Sequence, residues 1–155
     1  MAAKVRPIPE GFHSITPHIS VHDAAGAIDF YKRAFGAEEL HRMPVPNGDK
    51  IMHAAIRIGD SVIMMNDEFP EMKCLGPRAL GGSPVTLHLY VENVDTTFKR
   101  AVDAGCTVMM PLEDAFWGDR YGKVADPFGH QWSLATHIKD PSEKELTDAA
   151  AKAFA

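Results

Sequence analysis

Long apolar runs are missing from this sequence. No stretch approaches the roughly 20 apolar residues that a bilayer-crossing helix needs. The opening "MAAKVRPIPEG" has no apolar core of signal-peptide length. These absences predict a cytoplasmic protein with no membrane partner. Cysteine is scarce: Cys74 and Cys106 are the only two. Two distant thiols form no disulfide framework, and neither has the paired spacing of a zinc site. Cys106, just after Gly105 at the head of a predicted strand, reads as core packing. Positive charge is in deficit, with 16 Lys+Arg against 21 Asp+Glu and a net charge of -5. That balance argues against a basic patch able to hold duplex nucleic acid. The charges are interspersed, so no interaction tail is expected. Gly-rich phosphate loops, a nucleophile elbow and Ser/His/Asp spacing are absent as well.

What is there is a globular composition of 155 residues, 45% apolar and 24% charged. That length suits one domain, or two small halves sharing one core. The stronger signal is internal repetition. "TPHISVHD" (Thr16 to Asp23) matches "TLHLYVEN" (Thr86 to Asn93) at an offset of 70 residues. A helical pattern follows each copy. The first carries Ile28, Tyr31 and Phe35 on one face and stops at Gly36. The second carries Val94, Phe98 and Val102 and stops at Gly105. Three strand-like runs follow each helix, separated in the first half by the turns "PNGD" and Gly59-Asp60 and closed in the second by "DPFG".

The sequence therefore predicts an α+β protein of two β-α-β-β-β modules forming a curved mixed sheet around a shared cleft. The expected boundaries are an N-terminal extension at 1–11, a first module at 12–68, a linker at 69–84, a second module at 85–138 and a tail at 139–155. The Gly- and Pro-rich linker reads as loop. Ser142 and Glu145 form a capping-box pattern ahead of a terminal helix with a thin apolar face.

Three stretches, "AAGAIDFYKRAFGAEEL", "MMNDEFPE" and "WGDRYGKVADPFGHQWSLATH", resemble the vicinal-oxygen-chelate superfamily. That superfamily includes glyoxalase I, bleomycin-resistance proteins and extradiol dioxygenases, and the resemblance is to its PhnB-like, glyoxalase-like branch. It runs from about Phe12 to His137. Metal-dependent members place a His or Gln on the first strand of each module and a Glu on the last. The corresponding positions here are Thr16, Met64, Thr86 and Ser133. None is a good divalent-cation ligand, so the resemblance implies this fold without the family's metal.

Strand alternation sorts the candidates. Thr16, His18 and Ser20 share one face of the first strand. Thr86, His88 and Tyr90 share the equivalent face of its repeat. His53, Ala55 and Arg57 oppose Met52, Ala54, Ile56 and Ile58, while Tyr121 and Lys123 share a face, as do Gln131, Ser133 and His137. Trp132 reads as core, Asp126, Pro127 and Gly129 as a turn in which Asp126 bonds its own loop, and Gly118 and Gly122 as sites of a bend or bulge. The expected ligand-binding set is His18, His53, Arg57, His88, Tyr90, Trp117 and Tyr121, with Arg57 offering charge to a carboxylate or phosphonate and the rings offering stacking area.

Three readings follow. One is a metal-free protein binding a small anionic or aromatic molecule, as bleomycin-resistance proteins do. Another is a metal-dependent lyase, isomerase or dioxygenase in which His18 and His88 hold a displaced divalent metal, completed by Glu113 or His137. The third is a metal-free enzyme using a His as acid or base. The expected partners are a small-molecule ligand and a second copy of the chain in a homodimer.

Overall fold

The β-α-β-β-β order occurs twice in the computed structural model, which describes residues 4–155. The first run is β1 (His18–Val21), α1 (Ala24–Phe35), β2 (Glu38–Pro44), β3 (Ile51–Ile58) and β4 (Ser61–Asp67). A short helix, α2 (Pro77–Leu80), lies between the runs. The second run is β5 (Thr86–Tyr90), α3 (Val94–Ala104), β6 (Thr107–Asp114), β7 (Asp119–Ala125) and β8 (Gln131–His137), followed by α4 (Glu143–Ala153). The chain divides into two compact units after Gly82. Each unit carries its own four-stranded mixed sheet, ordered β1-β4-β3-β2 in one and β5-β8-β7-β6 in the other. In both, the first strand runs parallel to the last and the remaining pairs are antiparallel.

Local chemistry sets the ends of these elements. The Asp23 and Asn93 side chains accept from the backbone N–H groups of Gly26 (3.0 Å) and Thr96 (3.2 Å), capping α1 and α3. Gly36 (φ 68°) and Gly105 (φ 129°) then turn the chain out of each helix in conformations that favour glycine, their N–H groups closing on the last helical carbonyls. Ser142 caps α4 by accepting from Glu145 N–H at 3.1 Å, and α4 buries none of its residues.

In the first unit Ile28, Tyr31 and Phe35 all face inward from α1, onto the sheet face carrying Ile19, Val21, Ile56 and Met65. Each such buried side chain contributes about 1.5–3 kcal/mol. In the second unit Val94 is buried and Phe98 packs against Gly122, but Val102 is 36% exposed and Ala101 takes the inward position instead. The reason is periodicity: seven residues from Val94 return closer to the same helix face than eight do.

Two further expectations change. The linker is not all loop, because Pro70–Met72 forms a 3-10 turn and Pro77–Leu80 forms α2. The prolines that signalled loop sit instead at first helical positions, where a fixed φ and a missing N–H cost nothing. Met52 is 45% exposed while Ile51 is buried, because β3 carries one extra residue opposite Met43 and Pro44. That bulge exchanges the faces of the two side chains. Gly122 does sit at a bulge, as expected: Pro111 and Leu112 of β6 both stand opposite it, while it keeps regular register with Leu134 on β8. A Cβ at Gly122 would stand 2.6 Å from the Phe98 ring, so this glycine admits α3 to the sheet.

Candidate functional site

Cross-strand partners share a face, so the register of the second sheet lays its polar residues out in rows. One row runs His88, Ser133, Lys123, Met110 across β5, β8, β7 and β6. The next runs Tyr90, Ala135, Tyr121, Glu113, and a third pairs His137 with Asp119. The opposite face carries Trp132, Leu134 and Val124 into the core.

Rings on the polar face form a continuous run. His88 meets Tyr90 edge to face at 4.6 Å between centroids and lies nearly parallel to Tyr121 at 6.2 Å. Tyr121 meets Trp117 at 5.4 Å and 70°, and Trp117 meets Phe116 at 5.2 Å and 85°. The His88 Nδ1 is hydrogen-bonded to the Ser133 hydroxyl.

A buried carboxylate anchors this run. Asp119 is 3% exposed. Its Oδ2 accepts from the Tyr90 hydroxyl and from the Trp117 indole N–H, both at 3.1 Å. Its Oδ1 lies 2.7 Å from His137 Nδ1, and His137 Nε2 lies 2.6 Å from Asp140 Oδ1. A carboxylate on each ring nitrogen favours the doubly protonated imidazolium. Asp140 and then Asp119 accordingly raise the His137 pKa. Burial pushes Asp119 upward, but the bonds from His137, Tyr90 and Trp117 outweigh it and hold this carboxyl below its usual range. Burial, reinforced by the neighbouring Asp119, raises the Tyr90 phenol.

Beside Trp117 and Tyr121 lies a cavity of about 500 Å³, walled also by Met109, Met110, Glu113 and Phe116 and reached by Ala153 of α4. Its size falls within the range of small-molecule sites.

In the first unit, His18 and His53 are also neighbours, edge to face at 5.8 Å, and His41 joins them at 5.0 Å from His53. Burial, then His41 and His18, lower the His53 pKa. His18 Nε2 lies 2.7 Å from Asn66 Oδ1. Because Asn66 Nδ2 donates to the Asp67 carbonyl (2.7 Å), its Oδ1 is the acceptor, so His18 carries its proton on Nε2. Arg57 pairs with Glu38, directly opposite on β2, at 2.6 Å.

The expected set thus divides as His18, His53 and Arg57 in the first unit and His88, Tyr90, Trp117 and Tyr121 in the second. Sequence reasoning missed Asp119, Asp140, His41 and Asn66. Asp119 was within reach, since alternation from Tyr121 and Lys123 extended one step back lands on it. Asp140 and Asn66 depend on side-chain reach that spacing does not encode.

Two repeated β-α-β-β-β modules, each with its own four-stranded mixed sheet, define the class of fold. The sequence matches the Glyoxalase/Bleomycin resistance protein/Dioxygenase superfamily over residues 11–134, and the chain belongs to it. It is 50% identical over 152 residues to Rv0887c of Mycobacterium tuberculosis, covering 96% of this chain and 85% of that one. Among solved structures, TioX from Micromonospora sp. ML1 superposes with a TM-score of 0.64 at 28% identity, over 80% of this chain and 98% of that one. The PhnB protein of Bacillus cereus shares the fold, with a TM-score of 0.61 at 21% identity, over 80% and 99%.

The residues that the resemblance sets at the family's metal positions are three hydroxyls and a thioether. Thr16 lies ahead of β1 and donates its hydroxyl to the His13 carbonyl at 3.1 Å, Ser133 is engaged by His88, and Met64 and Thr86 complete the four. Hydroxyls and a thioether supply no carboxylate to neutralise the charge. Among the described residues, no three His, Cys, Asp or Glu side chains gather into a metal-binding group. Nor is any helix among them long and apolar enough to cross a membrane.

Proposed function

We propose that this chain is a metal-free, small-molecule-binding member of its superfamily, and that it takes the aromatic part of a ligand against the polar face of the second module. The observation that carries this reading is the run His88, Tyr90, Tyr121, Trp117, tethered at two rings by the buried Asp119 carboxylate. Rings fixed in advance offer stacking area with little ordering entropy left to lose. An anionic ligand held by Arg57 has less support, because Glu38 already occupies that guanidinium. The same reading keeps a homodimer and a cytoplasmic setting, the first of which light scattering tests directly.

The chain's two tryptophans supply the assay. Trp117 is 41% exposed and Trp132 is 2% exposed. In a thermal-shift screen of small aromatic compounds, hits should move the Trp117 indole N–H resonance and leave that of Trp132 in place. Trp117→Ala and Tyr121→Ala should each weaken a hit by about tenfold, the worth of one lost stacking contact. Hits indifferent to both substitutions refute the site. Stoichiometric divalent metal in protein purified without chelator refutes the metal-free half of the proposal.

A further inference from the structure

We infer that the cavity beside Trp117 selects a positively charged ligand, an alkylated ammonium or a cationic nitrogen heterocycle, and that Glu113 sets that preference. This rests on the proposed binding site in the second module and adds the sign of the ligand's charge.

The walls supply the first argument. Phe116, Trp117 and Tyr121 succeed one another at 85° and then 70°. Rings turned edge to face present their π-faces in different directions around the opening, and a cation near any of those faces is attracted by the ring quadrupole. The polarisable thioether side chains of Met109 and Met110 line the same cavity.

Charge supplies the second. The charged side chains lining the cavity are Glu113 and Asp114, both carboxylates. Asp114 is already paired, since the Arg120 Nη1 donates to it at 3.1 Å. The exposed Glu113 side chain has no hydrogen-bond or ion-pair partner among the described residues. An unpaired carboxylate beside three rings recognises a cation and repels an anion. The rival is Lys123, which shares this sheet face and pairs in register with Met110 but does not line the cavity. An anionic ligand would have to lean on Lys123, so the two signs of charge make opposite predictions for two nearby residues.

The test uses the full chain and three probes of similar size: N-methylquinolinium, neutral quinoline and anionic 2-naphthoate. Binding is read at neutral pH from the Trp117 indole N–H resonance, assigned by its loss in Trp117→Phe. N-methylquinolinium should bind about tenfold tighter than quinoline, and 2-naphthoate weakest, as expected for a cation–π contact joined by an ion pair at a part-exposed site. Glu113→Gln should bring the cation to within about threefold of quinoline while leaving quinoline unchanged, and Lys123→Met should not weaken the cation. Tighter binding of 2-naphthoate, or a cation preference that survives Glu113→Gln, overturns the assignment. If all three probes bind equally, the site stands and its charge selectivity falls. If none moves the Trp117 resonance, the site falls with it.

Discussion

Replacing Asp126 by Asn should destabilise the second module through one bond, and that bond can be isolated. Asp126 is 5% exposed. Its Oδ1 accepts from the Phe128 and His130 backbone N–H groups at 2.9 and 3.0 Å, and its Oδ2 accepts from the Trp132 indole N–H at 2.9 Å. In Asp126→Asn the amide oxygen can keep the two backbone donors. The amide nitrogen must then face the indole N–H, donor against donor, in a buried position. Flipping the amide sacrifices two bonds to save one. The loss is one charge-assisted hydrogen bond and an unsatisfied indole, about 2–4 kcal/mol. At roughly 2–4 °C per kcal/mol for a chain of this length, the melting temperature should fall by about 4–16 °C. In a Trp132→Phe background the opposing donor is gone, and Asp126→Asn should cost only about 1 kcal/mol. Urea unfolding of the four proteins gives the coupling energy, expected at about 1–3 kcal/mol. If Asp126→Asn costs the same in both backgrounds to within about 0.5 kcal/mol, the indole bond contributes nothing and the reasoning fails.

The Asp119–His137 pair should make stability pH-dependent. His137 is raised from its ordinary 6.5, so its contribution is complete below that value and lost as pH climbs through the folded pKa, while Asp119 is lowered from 3.8, so its contribution is lost only as pH falls through the folded value. His137→Gln should therefore shift the urea midpoint more at about pH 5.5 than at about pH 8.5, and a pH-independent effect rejects the pairing. Gly122→Ala places a Cβ 2.6 Å from the Phe98 ring and 3.2 Å from the Met110 carbonyl. It should cost about 1–3 kcal/mol, with part recovered by Phe98→Leu. Burial, and secondarily the Asp126 charge, push the Cys106 thiol up to about 12, whereas Cys74 is half-buried. Mass spectrometry after alkylation of the native protein should find Cys74 modified and Cys106 untouched until the chain unfolds.

How much of this could be read from the sequence depends on the range of the interaction responsible. The helix ends were legible where the signal is local: Gly36 and Gly105 stop α1 and α3, and Ser142 caps the residue three positions on. The "PNGD" turn was legible for the same reason, and Asn47 adopts the positive φ of 59° that such a turn demands. Trp132 as core and Asp126 as an organiser of its own loop both followed from local pattern. The bulge at Met52 was not legible, because it arises from a mismatch with β2 that alternation within β3 cannot register. Arg57 looked like a free cation until pairing placed Glu38 opposite it. Asp119 was passed over, and its role emerged only when Tyr90, 29 residues earlier, and His137, 18 residues later, converged on one carboxylate. The site was legible as a face of each strand and illegible as a network.

The parallel pairing of first strand with last has a consequence for how each module assembles. His18 pairs with Met64 and Thr86 with Gln131, across separations of 46 and 45 residues, whereas β2, β3 and β4 are neighbours joined by tight turns, as β6, β7 and β8 are in sequence. Closing a long loop costs more entropy than closing a hairpin and slows the step that needs it. The three-stranded meanders are therefore expected to form first and the parallel strands to dock late, so that pulse-labelled hydrogen exchange protects β3 and β7 before β1 and β5. Within each module the strand that leaves the ribosome first is then the last to find its place. Until it does, β4 and β8 stand as open edges, and the faces carrying His18, His88 and Tyr90 are incomplete.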